Sequence, residues 1–87
     1  MTTTPQKTWL ITGAARGLGA GIARAALDAG DRVVVAGRNR DALIKAFGPD
    51  SDLVLSLTLD VTDTTAIAAA VKAVMARFGR IDVLVNN

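Results

Sequence analysis

Three glycines follow the first apolar segment of the chain at a fixed spacing. Gly13, Gly17 and Gly19 lie in the segment 12–19 (TGAARGLG), after the β-favouring run Thr8–Thr12 and before an alanine-rich stretch. A turn that brings backbone amides close to a pyrophosphate needs glycine wherever a side chain would obstruct the approach. Gly13 suits the tight turn, Gly17 the close approach, and Gly19 the contact between helix and strand. This G-x-x-x-G-x-G spacing differs from G-x-G-x-x-G but still predicts a dinucleotide-binding turn.

Apolar periodicity and turn residues predict four strands alternating with three helices. The predicted strands are Thr8–Thr12, Arg32–Ala36, Leu53–Leu59 and Ile81–Val85. The predicted helices are about Gly17–Ala29, Arg40–Phe47 and Thr64–Phe78. Asn39 and Asp63 are expected to cap the second and third helices, because their side-chain oxygens can accept from free amides of the first turn.

This alternation predicts an α/β fold, a Rossmann-type doubly wound parallel sheet with strand order 3-2-1-4 and helices on both faces. We expect residues 1–7 to form a flexible N-terminal tail. The fourth strand would present an unpaired, largely apolar edge, which is a liability for pairing and aggregation. We therefore expect the sheet to be incomplete, with residues 8–87 forming the N-terminal part of a dinucleotide-binding domain.

The spacing of large apolar residues predicts which faces are buried. The first helix carries Leu18, Ile22, Ala26 and Ala29 at helical spacing, and the third strand carries Leu53, Leu55, Leu57 and Leu59 on one face. The stripe of the third helix comprises Ile67, Val71, Val74, Met75 and Phe78. Trp9 and Phe78 are interpreted as core residues and not as groups that stack on a cofactor.

The end of the second strand carries arginine where an acidic residue would favour a free ribose 2′-hydroxyl. The segment 36–40 (AGRNR) contains no carboxylate. Arg38 could form charge-assisted bonds with a 2′-phosphate, and Arg16 in the glycine turn could approach the same group. Solvated surface arginines are the plain alternative, and Arg40 is left out on that ground. We expect NADP(H) as the cofactor, with NAD(H) less favoured.

Composition excludes several classes of protein. The 87 residues are 51% hydrophobic and 21% charged with a net charge of +2, which disfavours disorder and gives no basic surface for nucleic acid. Cysteine and histidine are absent, so we expect no disulfide and no metal site. The apolar segments are too short for a membrane span or a secretory signal, and we expect a cytoplasmic protein.

Two further motifs follow predicted strands. Leu59-Asp60-Val61 follows the third strand, and Val85-Asn86-Asn87 follows the fourth. Together with the glycine turn, they resemble the short-chain dehydrogenase/reductase family in its classical type. The resemblance extends from the first strand to Asn87 and covers the N-terminal part of such an enzyme. It implies an oxidoreductase that uses a nicotinamide dinucleotide.

The resemblance also implies positions for the cofactor-binding residues. The residues lining the pyrophosphate and the adenine-side ribose would be Gly13, Ala15, Arg16, Leu18 and Gly19, with Gly17 in the turn. Asp60 would accept from the exocyclic amine of the adenine, and Val61 would flank the ring. Asn87 would pass near the ribose, while Asn86 would brace the strand ends.

Members of this family carry their chemistry in the C-terminal half, on a serine, a tyrosine, a lysine four residues after it and a supporting asparagine. The chain contains no tyrosine, so no catalytic residue is placed in it. We expect the NADP(H)-binding portion of an oxidoreductase that interconverts an alcohol and a carbonyl. It would be inactive alone and homo-oligomeric when complete. A non-catalytic small protein that binds a dinucleotide or a partner is the alternative.

Overall fold

Strands and helices alternate strictly along the chain. The computed structural model describes residues 5–87. Its elements are β1 (Thr8–Thr12), α1 (Gly17–Asp28), β2 (Arg32–Gly37), α2 (Arg40–Phe47), β3 (Val54–Thr58), α3 (Thr64–Phe78) and β4 (Val83–Val85). The strands pair in parallel in the order β3-β2-β1-β4. The predicted doubly wound sheet is confirmed.

The centre of the sheet is buried on both faces. Val33, Val34 and Val35 of β2 are fully buried, and their side chains alternate between two apolar clusters. One cluster contains Val33, Val35 and Leu43 of α2. The other contains Val34 with Val74 and other residues of α3. Burying a valine side chain stabilises the fold by about 1.5–3 kcal/mol, so this β-branched run anchors both helical layers.

The first turns of the three helices differ in how their free amides are satisfied. The Asn39 side chain accepts from Ala42 N at 3.2 Å at the start of α2. The Asp63 carboxylate accepts from Thr65 N at 3.0 Å and Ala66 N at 3.2 Å at the start of α3. Both predicted caps are confirmed. No side chain caps α1, which leaves its first amides free for another acceptor.

The buried face of α1 differs from the predicted stripe. Its buried residues are Gly19, Ala20, Ala23 and Ala26. Leu18 is 73% exposed, so the prediction that Leu18 lies on the buried face was wrong. Small side chains let the helix approach the sheet closely, and this requirement outweighs the hydrophobicity of leucine at this position.

The face of β3 that packs most tightly is also not the leucine face. Val54 and Ser56 are buried, whereas Leu53 is exposed and precedes the strand. Leu55 and Leu57 are only partly buried, on the side covered by α3. Alternation in a strand predicts two faces but does not indicate which face a neighbouring helix covers more completely.

An apolar groove of about 190 Å³ lies between α3 and β4. Three residues of the predicted α3 stripe, Ile67, Val71 and Met75, are 38–46% exposed. Val74 and Phe78 of the same stripe are buried, as predicted. Leu84 on β4 is 64% exposed beside the groove. β4 is shorter than predicted, because its pairing with β1 begins at Val83.

The N-terminal segment is tied to the turn between α1 and β2. Lys7 N donates to Asp31 Oδ1 at 3.0 Å, and Trp9 Nε1 donates to Asp31 Oδ2 at 3.0 Å. Gln6 Nε2 donates to the Gly30 carbonyl. Trp9 is therefore half-buried with a polar partner, and the part of the expected tail at residues 1–4 lies outside the described residues. No helix in residues 5–87 is long and apolar enough to span a membrane.

Candidate functional site: the carboxyl edge of the sheet

All four parallel strands end at one edge of the sheet, and the predicted site residues follow those ends. The glycine turn follows β1, Arg38 follows β2, Asp60 lies just beyond β3, and Asn86 and Asn87 follow β4. β1 pairs with β2 on one side and β4 on the other. The crossover after β1 leads to β2 on one side, whereas the crossover after β3 leads to β4 on the other side of β1. This change of direction opens a crevice above the edge.

The glycine turn requires glycine for two separate reasons. Gly13 and Gly17 have φ angles of +59° and +64°, a region that side chains disfavour. A Cβ added to Gly19 would lie 2.6 Å from the Gly13 carbonyl oxygen. The first turn of α1 therefore packs directly on the loop that precedes it. A Cβ on Gly17 would meet nothing within 4 Å, so this side of the turn is open to a ligand.

The N-terminus of α1 has the character of an anion-binding site. Arg16 precedes the helix with an extended backbone (φ −161°, ψ 174°), and its side chain makes no capping bond. The first turn contains no acidic residue. The free amides and the partial positive charge of the helix end therefore face the open side of the turn without an internal counter-charge.

A cleft of about 430 Å³ lies beside this helix end. Its lining residues are Gly13, Ala15, Arg16, Gly37, Arg38, Asn39 and Ala42. Two guanidinium-bearing side chains thus border one cleft, and no carboxylate-bearing residue is among the lining residues. Arg38 is mostly exposed, with 77% of its side chain accessible to solvent. The arrangement favours a ligand that carries negative charge.

Asp60 faces Arg38 across the ends of β2 and β3. The distance from Arg38 Nη2 to Asp60 Oδ1 is 3.8 Å. Thr62 donates to the same oxygen from its hydroxyl at 2.7 Å and from its backbone amide at 3.0 Å. These two bonds, followed by the charge of Arg38, hold the pKa of Asp60 below its ordinary value. Val61 next to it lines the apolar groove and not the cleft.

The residues after β4 are bonded to the glycine turn. Asn87 N donates to Thr12 Oγ1 at 3.0 Å, and Asn87 Nδ2 donates to the Gly13 carbonyl at 3.1 Å. The Thr12 hydroxyl has two acceptors in reach, Asn86 Oδ1 at 3.3 Å and the Val85 carbonyl at 3.4 Å. The side chains of Asn86 and Asn87 thus both join β4 to β1.

Two residues of this edge were missed by sequence reasoning. Thr12 joins both asparagines, whereas its sequence context indicates only the end of a strand and the start of the glycine motif. Thr62 orients Asp60, and the signal that could have found it is its place two residues after an aspartate, where side-chain-to-backbone turns form. Leu18, which the resemblance implies as a cofactor contact, is 73% exposed and is not among the residues lining the cleft.

Comparison with known proteins identifies the family of the chain. A family model described as short chain dehydrogenase matches residues 7–87. Galactitol 2-dehydrogenase of Agrobacterium fabrum (strain C58 / ATCC 33970) is 46% identical over 84 residues, which cover 93% of this chain and 32% of that protein. The chain spans about a third of the length of the curated relatives it matches.

Two solved structures combine a similar fold with a bound dinucleotide. A 3-ketoacyl-(acyl-carrier-protein) reductase from Brucella melitensis, complexed with NADH, has a TM-score of 0.83 at 33% identity and covers 90% of this chain and 32% of its own. An alcohol dehydrogenase from the archaeon Thermococcus sibiricus, complexed with 5-hydroxy-NADP, has a TM-score of 0.81 at 33% identity. It covers 92% of this chain and 36% of its own. The fold, the glycine turn and the family match together show that this chain belongs to the short-chain dehydrogenase family.

Proposed function

We propose that the chain is the NADP(H)-binding portion of an oxidoreductase that interconverts an alcohol and a carbonyl. The observation that carries this proposal is the uncapped N-terminus of α1 beside a cleft bordered by Arg16 and Arg38. A pyrophosphate needs free amides and positive potential, and the cleft beside them offers room for the adenosine half.

The residues of the turn fit a pyrophosphate. Gly17 leaves the approach open, and Gly19 lets α1 lie against the Gly13 carbonyl so that the helix end is fixed in place. We propose that the backbone amides of residues 15–19 hold the pyrophosphate, since the Ala14 amide already donates to the Ala36 carbonyl. Asp60 and Asn87 would contact the adenine and ribose, as the family resemblance implies, whereas Val61 lines the apolar groove and not this cleft.

The preference for a 2′-phosphate rests on the two arginines. Neither solved relative decides the matter, because one holds NADH and the other 5-hydroxy-NADP. In this chain the cleft is bordered by Arg16 and Arg38 and by no carboxylate-bearing residue. A hydrogen bond to a charged group contributes about 1.5–3 kcal/mol, which corresponds to a tenfold or greater gain in affinity for the phosphorylated ribose.

The bound cofactor would supply the hydride in carbonyl reduction and accept it in alcohol oxidation, while the residues of this chain bind and orient the cofactor. The sequence has no tyrosine and no histidine, so we propose that the groups completing proton transfer and substrate binding come from residues outside these 87. The proposed substrate class follows from membership of the family: an alcohol in one direction of the reaction and a carbonyl in the other.

Calorimetric titration of the chain with NADP⁺ and NAD⁺ tests this proposal. Arg38→Ala should weaken NADP⁺ binding about tenfold or more and leave NAD⁺ binding nearly unchanged, because only NADP⁺ carries the 2′-phosphate. Lys45→Ala is the matched control, since it removes an exposed positive charge from the last turn of α2. An unchanged ratio of the two dissociation constants in Arg38→Ala would overturn the cofactor assignment.

A further inference from the structure

Arg38, the proposed partner of the 2′-phosphate, also lies beside the carboxylate of Asp60. Sequence order gives no acid at the end of β2, but the parallel register pairs Gly37 with Thr58 and so places the ends of β2 and β3 side by side. Asp60 Oδ1 consequently lies 3.8 Å from Arg38 Nη2. An acidic group thus stands at the end of β2 in space, although not in sequence.

The two partners are held with unequal firmness. Asp60 accepts from both the hydroxyl and the backbone amide of Thr62, which fixes its carboxylate. Arg38 makes no hydrogen bond to Asp60, and its side chain is the more exposed of the two, at 77% against 50%. The carboxylate is therefore a fixed negative charge, and the guanidinium is the member free to reorient toward another anion.

We propose that Asp60 is a specificity-determining residue that limits the preference of this site for the 2′-phosphorylated cofactor. This inference rests on the proposed function, because it concerns how Arg38 divides its charge between two anions. A 2′-phosphate brings negative charge to a guanidinium that Asp60 already partly neutralises. A free 2′-hydroxyl brings none, so NAD(H) binding does not meet this opposition.

The proposed effect of the Asp60 charge is measured as the ratio of the dissociation constants for NAD⁺ and NADP⁺. This effect is separable from any hydrogen bond between Asp60 and the adenine. That bond would serve NAD⁺ and NADP⁺ equally, because both carry the same adenine, and its loss would cancel in the ratio of their dissociation constants. The opposition to the 2′-phosphate acts on NADP⁺ alone. The ratio therefore measures the charge of Asp60 and not its role as an acceptor.

The test is Asp60→Asn, which removes the charge but keeps an oxygen that can accept from Thr62. Affinities for NADP⁺ and NAD⁺ are measured by calorimetry. We expect the NADP⁺ preference to rise about two- to fivefold, the range for exposed charge pairs. Asp52→Asn, in the exposed loop before β3 and so at the other end of that strand, should leave the ratio unchanged.

Salt provides a second readout. The rise in NADP⁺ preference caused by Asp60→Asn should become smaller as the electrostatic screening length falls from about 10 Å at 0.1 M salt to about 3 Å at 1 M salt. An unchanged or lower ratio, or a rise that does not depend on salt, overturns the inference while dinucleotide binding stands. A wild-type chain that binds neither dinucleotide overturns the proposed function and this inference with it.

Discussion

Asn87 donates from its side-chain amide to the backbone carbonyl of Gly13 at 3.1 Å, which joins the end of β4 to the glycine turn after β1. The backbone amide of Asn87 donates to Thr12 at the same place. The conformation of the turn thus depends on a residue 74 positions away as well as on its own glycines. A substitution at Asn87 or in the glycine turn should therefore change both the stability of the sheet and the binding of a dinucleotide.

The close contact at Gly19 predicts that alanine is not tolerated there. A Cβ would lie 2.6 Å from the Gly13 carbonyl oxygen and 2.8 Å from Asn87 Nδ2. We expect Gly19→Ala to lower the free energy of unfolding by about 1–3 kcal/mol, through displacement of the turn, and to weaken NADP⁺ binding. Urea denaturation and calorimetry measure the two effects.

Gly21→Ala is the control for the glycine prediction, because Gly21 lies two residues further along α1 and a Cβ there meets nothing within 4 Å. Alanine should stabilise the helix at this position by about 0.5–1 kcal/mol. Equal effects of the two substitutions on stability would show that the contact at Gly19 does not determine the turn.

We expect the loss of a hydroxyl group to affect stability differently at the two threonines of β1, Thr8 and Thr12. Both are buried, but Thr12 Oγ1 accepts from Asn87 N while Thr8 Oγ1 has no hydrogen-bond partner among the described residues. Thr12→Val should cost about 1–3 kcal/mol, since it leaves a backbone amide without its acceptor. Thr8→Val should be neutral or stabilising. A larger loss of unfolding free energy in Thr8→Val than in Thr12→Val would contradict the structure.

We expect the protein to lose stability in acid, in part because of the hydrogen bonds made by the Asp31 carboxylate. The backbone amide of Lys7, followed by the indole of Trp9, holds the pKa of Asp31 below its ordinary value of 3.8. A carboxyl with a lowered pKa in the folded state stabilises the protein above its unfolded pKa, and this contribution disappears as the pH falls through the folded value. Stability should therefore decline below about pH 4, where the lower pKa values of Asp60 and Asp82 act in the same direction.

Asp31→Asn isolates the share of that decline due to Asp31. The variant should lose less stability than the wild type between about pH 6 and about pH 3. Trp9 is the single tryptophan of the chain, so its fluorescence follows unfolding and reports directly on this contact. Asp52→Asn, a change of the same kind in an exposed loop, should keep the wild-type acid response. An unaltered acid response in Asp31→Asn would contradict the assignment.

Local signals in the sequence predicted the elements and the turn well. The bounds of α2 and α3 and the caps at Asn39 and Asp63 are confirmed, because caps and helix-ending glycines act within a few residues. The glycine motif likewise encodes a conformation that only nearby atoms determine.

Properties that depend on distant neighbours could not be predicted from the pattern. Leu18 is exposed because α1 meets the sheet through smaller residues, and no periodicity states how closely two elements approach. The Arg38–Asp60 pair depends on the register of β2 with β3, which the predicted strand order does not give. A shift in register by one residue would reverse the faces and separate the pair.

The most direct test of the account is the pattern of backbone amide chemical-shift changes when NADP⁺ is titrated into the chain. We predict the largest changes at residues 13–19, which form the turn and the open end of α1, together with a change at Arg38 that NAD⁺ does not reproduce. Saturable binding with its largest changes at Val71 and Leu84, beside the apolar groove, would contradict the account. Absence of any change at the glycine turn would do the same.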